Sequence, residues 1–196
     1  MCGRFENTFS LQDLILMLDS LDLVIESDKG KPENIAPTEK INSIIPEENR
    51  FRLLSSKWGI QFSPESPLIF NTRIETIKEK GFWKGLYDKN RCLVPMTGFY
   101  EWKKSGTKKT PFRIYLPETP VFFVAALFTL NKQKGREISL ITTTPNEFIS
   151  KIHHRMPVII PKEGIERFFS SPVEENIEIS VPLRESIKME MEPAII

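Results

Sequence analysis

The second half of the chain is dominated by short apolar segments rich in β-branched and aromatic residues, a pattern typical of β-strands. We predict strands at 91–95, 98–102, 111–116, 120–129 and 136–143. Over the whole chain the predicted strands outnumber the helices. This balance favours an α+β fold with a mostly antiparallel, curved or barrel-like β-sheet and a few peripheral helices.

One helix near the start of the chain is indicated strongly. Apolar residues recur at helical spacing over residues 11–22, and Ser10 is a suitable N-cap, so we predict an amphipathic helix there. Thr144, followed by a proline and then a glutamate three residues after the cap, predicts a second helix that runs to about Ile152. The other predicted elements are strands at 3–9, 41–45, 51–58 and 156–160, helices at 74–80 and 162–169, a basic turn at 103–110 and a short strand at 177–181.

The organisation of the chain is simple, because no internal repeat and no linker divides it. We therefore expect one domain over residues 1–196, with an irregular C-terminal tail at about 183–196. Fourteen Phe, against three Trp and three Tyr, predict a core rich in phenylalanine.

Composition and charge exclude several classes of function. The net charge is +1, so the chain lacks the global basic field of many nucleic-acid binders, and any phosphate binding must come from a local patch. No apolar run is long enough to cross a membrane, and residues 1–10 lack the apolar core of a secretory signal. Two separated cysteines then predict a reduced, cytoplasmic protein.

Metal and cofactor motifs are missing from the sequence. The chain has two cysteines and two adjacent histidines without a CxxC or HExxH motif, and it has no glycine-rich phosphate loop. We therefore expect neither a metal nor a cofactor.

Cys2 directly follows Met1, and its position gives it chemistry that an internal cysteine lacks. After removal of Met1, one residue carries both a thiol and a free α-amine. In reference peptides the amine titrates near ~7.7–8.0 and the thiol near ~8.5, so both have a usable nucleophilic fraction at neutral pH. The amine can add to an aldehyde as a Schiff base, and the thiol can close on the same carbon to form a thiazolidine. The alternative is an incidental cysteine on a frayed terminus.

Polar groups at the ends of apolar segments are the other candidates for chemistry. Asn71 and Arg73 share a face of an extended segment, which suits the recognition of an anion or oxyanion, or simply a loop amide and a surface arginine. Glu101 lies between two aromatic residues and is either exposed to solvent or a desolvated acid with a raised pKa. His153 or His154, after a predicted helix, is a candidate general acid or base, although a helix C-terminus also favours histidine.

Two further features have simpler interpretations. Cys92 lies inside an apolar strand and is expected to be a core residue. The lysines at 103, 104, 108 and 109 indicate a solvated turn, or a patch that helps to hold a phosphate backbone.

Several short segments, taken together and in this order, are more specific than any one residue. They are MCGRF, NIAPT, WG, NTRIET, RCLVPMTGFYEW, TTTPN and IHHRMPVI. This set closely resembles the SOS response-associated peptidase family, also known as abasic-site processing proteins, from Cys2 to about Ile160. The segment after Trp58-Gly59 departs from the family pattern, because a leucine-isoleucine-proline run and a second tryptophan are replaced by IQFSPESPLIF.

The resemblance implies a chemistry and a set of roles. Cys2, as the mature N-terminus, would trap the aldehyde of an abasic site in single-stranded DNA as a thiazolidine crosslink. Asn71 would orient the amine or a sugar hydroxyl. Glu101 would act as the acid/base that opens the sugar, and His153 would assist Schiff-base formation and reversal. The residues implied at the DNA are Arg4, Arg73 and Arg155 for phosphates, with Pro37, Trp58, Gly59 and Thr142 along the DNA path.

The leading hypothesis is therefore a DNA-repair enzyme with lyase-type Schiff-base chemistry that shields abasic sites during the SOS response. It would be a cytoplasmic monomer, associated with the nucleoid when bound to DNA, with no membrane partner. One alternative is a cysteine peptidase in which Cys2 attacks a peptide carbonyl, with Asn71 as oxyanion donor. A narrower form of this alternative cleaves only its own N-terminus. Another is a non-enzymatic module that binds single-stranded or damaged nucleic acid through aromatic residues and lysines.

Overall fold

A computed structural model of the chain describes residues 2–18, 23–26, 33–47, 50–133, 135–176 and 182–196. Its strands are β1 (Arg4–Glu6), β2 (Leu23–Ile25), β3 (Lys40–Glu47), β4 (Arg50–Trp58), β5 (Asn71–Arg73), β6 (Arg91–Met96), β7 (Gly98–Ser105), β8 (Lys108–Tyr115), β9 (Phe122–Leu130), β10 (Arg136–Thr143), β11 (Met156–Pro157), β12 (Ile159–Ile160) and β13 (Glu190–Pro193). Its helices are α1 (Leu11–Leu18), α2 (Ile74–Glu79), α3 (Gly81–Lys89), α4 (Glu147–Ser150) and α5 (Ile165–Ser170), with a 3₁₀ turn at Lys162–Gly164 before α5.

The strands form two sheets. One has the order β1-β7-β8-β13, and the larger one follows β11-β10-β4-β3-β6-β9-β12, with β2 on β4 and β5 on β10. An additional pairing of β9 with β10 makes the larger sheet curl. Neighbouring strands are mostly antiparallel, and the parallel pairs are β2–β4, β4–β10 and β5–β10. The predicted α+β class with a curved, mostly antiparallel sheet is confirmed.

Strand β9 separates two apolar cores. Phe122, Val124 and Ala126 point into the core that also contains Cys2 and Trp58. The residues between them, Phe123, Ala125 and Leu127, point into a second core under α1, α2, α3 and α5. Successive side chains of a strand point to opposite faces, so a strand covered on both faces is apolar throughout. This explains the uninterrupted apolar run of β9.

The predicted first helix is confirmed where the structure describes it. α1 begins after Ser10, whose hydroxyl accepts a hydrogen bond from the Asp13 N–H at 3.1 Å. The Asp13 carboxylate in turn accepts from the Ser10 N–H at 2.9 Å. This reciprocal pair satisfies two N–H groups at the helix start. The predicted continuation over 19–22 lies outside the described residues, as does the strand predicted at 177–181.

Two predicted elements differ from those observed. The helix predicted over 144–152 is shorter, because β10 continues to Thr143 and the N-cap is Asn146 rather than Thr144. The Asn146 side chain accepts from the Ile149 N–H at 3.0 Å, which starts the helix later. The strand predicted over 156–160 is divided into β11 and β12 at Val158, whose N–H donates to Ile141.

The elements β2, α3 and β13 were not predicted from the sequence. Glycines at positions 81 and 85 disfavour a helix, but Trp83 and Tyr87 lie one helical turn apart and are both buried. β13 pairs with β8 inside the tail that was expected to be irregular. Within the described ranges, no helix has both the length and the apolar character needed to cross a membrane.

Gly59 provides a test of this architecture. Its φ is +120°, and a Cβ added there would lie 2.6 Å from the Leu68 Cδ1 atom. Gly59→Ala should therefore lower the free energy of unfolding by about 1–3 kcal/mol from backbone strain, before any clash is counted. The matched control is Gly85→Ala in α3, where an added Cβ meets nothing within 4 Å. Urea titrations should show this control to be neutral or slightly stabilising, and equal effects of the two changes would contradict the explanation.

Candidate active site

Cys2 lies next to the first strand, at the edge of the smaller sheet. β1 pairs with β7 through Arg4 opposite Tyr100 and Phe5 opposite Phe99, so the residues before Arg4 run alongside the continuation of β7. The Cys2 side chain is buried in the first core, and its thiol donates a weak hydrogen bond to the Arg4 carbonyl at 3.6 Å. Strand pairing thus brings the start of the chain to Glu101.

Asn71, in the larger sheet, forms a hydrogen bond with the backbone of Cys2. Its Nδ2 donates to the Cys2 carbonyl at 2.8 Å, across 69 positions of sequence. The position of Asn71 is set by β5, which pairs with β10 through Asn71 opposite Leu140. The Oδ1 of the same amide is buried and has no hydrogen-bond partner among the described residues. One end of this amide therefore holds the backbone of Cys2, and the other end is an acceptor available to a ligand.

Glu101 and His153 lie next to each other in the site. The Glu101 Oε1 lies 3.7 Å from the His153 Nδ1, and the Glu101 side chain is 2% exposed. Burial raises the pKa of Glu101 and lowers that of His153, because desolvation disfavours the charged form of each. Both groups therefore tend towards their neutral forms near neutral pH.

The pKa of the Cys2 thiol is set by its surroundings in the fold. In the chain that carries Met1, burial and then the negative charge of Glu101 raise the pKa of this thiol well above its ordinary value. The expected thiolate fraction at neutral pH concerns the chain without Met1, and for that chain it stays a prediction. In the chain with Met1, burial opposes ionisation of the thiol. The thiol is held protonated, and its attack on a carbon requires a base to accept the proton.

The two histidines have distinct environments. The His153 Nδ1 lies 3.0 Å from the carbonyl oxygen of Arg155 and 3.1 Å from its nitrogen. His154 is exposed and stacks its ring on that of His153, with 4.4 Å between the centroids. Of the two, His153 is the one that faces Glu101.

Arg155 is nearly buried, and its guanidinium is held by contacts within the protein. Its guanidinium makes two hydrogen bonds to Glu75, at 2.8 and 2.9 Å, and a third to the Thr142 carbonyl at 2.7 Å. The Thr142 side chain is itself fully buried. Arg155 and Thr142 are thus held mainly by contacts inside the protein in this conformation, and their implied DNA contacts stay predictions.

Trp58 and Gly59 are also buried, and their implied place along the DNA path stays a prediction. The Trp58 indole packs edge-on against Phe5 with 5.0 Å between ring centroids, and its Nε1 donates to the Phe70 carbonyl at 2.9 Å. The Trp58 carbonyl accepts from the Thr38 N–H at 2.7 Å, which anchors the turn that contains the half-buried Pro37. Trp58 therefore belongs to the same apolar core as Cys2.

Three of the implied DNA-contacting residues have accessible surface. Arg73 is exposed at the end of β5, and Pro37 is half-buried. Arg4 is also half-buried, and its Nη1 donates to the Asn34 Oδ1 at 2.7 Å. This contact with Asn34 was not predicted from the sequence. Asn34 has a φ of +50°, which lies in the left-handed region.

An open cleft of about 510 Å³ borders His153 and carries positive charge. Its basic side chains are Lys103, Lys104 and Lys151, all exposed, and Trp102 and His154 complete the same wall. The lysines of the predicted turn are exposed to solvent, as expected. The turn itself is shorter than predicted, because Lys103 and Lys104 belong to strand β7 and the other two lysines to β8. Lys151 was missed, since a single lysine after a short helix carries no signal in the sequence.

Together these groups define a cysteine-centred site in which an amide holds the backbone and a buried carboxyl–imidazole pair can move protons. The sequence model of the family described as SOS response associated peptidase (SRAP) matches residues 1–194. The chain belongs to this family.

Individual relatives agree with that assignment. The abasic site processing protein YoqW of Bacillus subtilis is 35% identical over 175 residues, which are 84% of this chain and 78% of YoqW. The abasic site processing protein YedK of Escherichia coli is 28% identical over 185 residues, covering 88% of this chain and 81% of YedK. A crystal structure of a Bordetella bronchiseptica protein shares the fold over all of both chains, with a TM-score of 0.82 at 16% identity.

The raised pKa of Glu101 predicts a pH-dependent effect on stability. Above pH 4.5, the ordinary pKa of glutamate, the folded chain retains a proton that the unfolded chain has lost, so stability falls as the pH rises. Glu101→Gln removes this cost, and the variant should gain more stability over the wild type at pH 8 than at pH 4.5. Urea unfolding at the two pH values measures the difference. Glu79→Gln on the exposed face of α2 is the control, and a gain that does not grow with pH would contradict the prediction.

Proposed function

We propose that this chain recognises abasic sites in single-stranded DNA and, after removal of Met1, becomes covalently attached to them through Cys2 as a thiazolidine. In this way it would shield the lesion after DNA damage. Family membership and the names of the curated relatives support the handling of abasic sites. The observation that carries the covalent chemistry is the convergence of Cys2, Asn71, Glu101 and His153 in one buried site.

The reaction needs only a carbonyl carbon and the two nucleophiles of Cys2. The ring-opened abasic sugar presents an aldehyde, the α-amine adds to it, and loss of water gives an imine. The sulfur then bonds to the imine carbon, and the thiol proton passes to the imine nitrogen by way of a base. The net change is aldehyde plus aminothiol to thiazolidine plus water, with no oxidant or reductant.

The roles of the polar groups follow from their environments. Glu101, with its raised pKa, can donate a proton to the sugar ring oxygen and, once ionised, accept the proton of the Cys2 thiol. His153, mostly neutral, can carry protons during imine formation and reversal. The free Oδ1 of Asn71 can accept a hydrogen bond from the amine or a sugar hydroxyl.

DNA binding would rest on a local surface, in agreement with the low net charge. Arg4 and Arg73 are the accessible arginines proposed for phosphates, and the half-buried Pro37 is proposed to line the DNA path. The three lysines of the cleft beside His153 extend the same positive surface. Removing one phosphate-binding side chain should flatten the dependence of log K on log salt by roughly 0.7 on single strands.

The first test is the requirement for a free N-terminal cysteine. Cys2→Ala should abolish the heat-stable adduct with an oligonucleotide that carries one abasic site, while borohydride still traps an imine, because the α-amine remains. A leading tag that blocks the amine should abolish both products. Denaturing gels and intact mass measurement would follow them. A stable adduct from a tagged, unprocessed chain would refute the proposal, and cleavage of an unrelated peptide without an adduct would support the cysteine peptidase instead.

The second test separates the two histidines. His153→Ala should slow both formation and release of the adduct by about 10²-fold or more, the usual range for removal of an acid–base group. His154→Ala, which changes an exposed ring, should be nearly silent. Single-turnover crosslinking and release into a competitor would measure these rates. If His154→Ala is the damaging change, the imidazole has been assigned to the wrong residue.

A further inference from the structure

Glu75, on α2, has no role in the chemistry proposed above, yet it makes a well-formed contact inside the site. Its two carboxylate oxygens accept from the Nη1 and Nη2 of Arg155 at 2.8 and 2.9 Å. The Nη2 also donates to the Thr142 carbonyl at 2.7 Å. The Arg155 side chain is 8% exposed, whereas that of Glu75 is 48% exposed. A planar guanidinium held on two sides in this way has little freedom to move.

The backbone of Arg155 in turn holds the ring of His153. Both its nitrogen and its carbonyl oxygen lie within 3.1 Å of the His153 Nδ1. The tautomer of the ring decides which of these two atoms forms the hydrogen bond. The orientation of this ring towards Glu101 therefore depends on where Arg155 is fixed. The guanidinium contacts of Arg155 are the anchor of that arrangement.

The same short segment reaches Cys2. Asn71, four positions before Glu75, donates to the Cys2 carbonyl at 2.8 Å. The segment is attached to β10 through Asn71 opposite Leu140 and Arg73 opposite Thr142, the residue whose carbonyl accepts from Arg155. Residues 71–75 therefore touch the nucleophile at one end and the support of the imidazole at the other.

We propose that Glu75 is a positioning residue that acts through Arg155 to fix the His153 ring against Glu101 and at a set distance from Cys2, a role that rests on the proposed function. The exposed edge of Glu75 needs no contact with DNA for this. Its carboxylate balances a guanidinium that would otherwise be buried and free to turn.

The charges around His153 give the proposal a readout other than rate. Glu101 and Lys104 face it from β7, His154 and Arg155 belong to its own segment, and Glu75 acts from α2 through Arg155. Without the carboxylate of Glu75, the positive charge of Arg155 is no longer balanced. The protonated form of His153 then becomes less favourable, and its pKa falls further.

The experiment compares Glu75→Gln with Glu79→Gln, which makes the same charge change on the exposed side of the same helix. Glu75→Gln should reduce the crosslinking rate at saturating abasic-site DNA by about 10- to 100-fold, the range expected when a catalytic group is displaced by about 1 Å. Its affinity for intact single-stranded DNA should stay within about twofold of the wild type. NMR titration of the imidazole, assigned with a His154→Gln variant, should show a lower pKa for His153. Glu79→Gln should match the wild type in all three measurements.

Two outcomes overturn the proposal. One is a Glu75→Gln variant with the rate and the His153 titration of the wild type. The other is a rise in affinity for intact DNA, since that would mean that Glu75 masks a phosphate-binding arginine. If Glu75→Gln does not fold, Arg155→Lys tests the same link, because it keeps the charge but removes the fork and should slow crosslinking similarly. A wild type that forms no crosslink would refute the proposed function, while the His153 titration, made on protein without DNA, would still decide the role of Glu75.

Discussion

The parallel pairing of β5 with β10 is the constraint on which the site depends. A strand of three residues contributes little by itself, but β10 is also paired with β4, β9 and β11 and is buried almost throughout. The pairing therefore places Asn71 on a rigid support, from which its amide reaches the backbone of Cys2. A terminal segment, usually free to fray, becomes part of a defined geometry.

Burial then determines the chemistry available at this support. Cys2 and Glu101 are almost completely buried and His153 is partly buried, so desolvation disfavours the charged form of each. The pKa of the carboxyl rises and that of the imidazole falls, so burial disfavours an ion pair between the two groups. Exposed positive charge is supplied by the lysines of the cleft and by Arg73. In the proposed function these charges attract DNA, whereas the buried groups transfer protons.

Local patterns predicted most of the fold and failed where the information is not local. The spacing of apolar residues after Ser10 and the β-branched runs of β9 and β10 are signals within a few positions, and the elements that they predict are present. Burial has no such signal, since nothing near Arg155 in the sequence shows that Glu75 neutralises it from 80 positions away. Trp58 shows the same limit, because an indole in a core and an indole on a binding surface have the same neighbours in sequence, and only the structure places this one in the core. The family resemblance placed Asn71 and Cys2 in one site, but the hydrogen bond from the Asn71 amide to the Cys2 carbonyl was not predicted.

The two-sided burial of β9 has a consequence for how the chain finds its register. In most strands a slip by one residue exposes apolar side chains and is rejected at once. In β9 the residues on both faces are apolar, so a slip exchanges one apolar set for another, and polarity does little to oppose it. The correct alignment must then be selected by side-chain size, Phe against Ala, and by the partners on either side, β6 and β10. Asn71 is positioned by the pairing of β5 with β10. A shift of β9 by one position against β10 would therefore also change the position of Asn71 relative to Cys2.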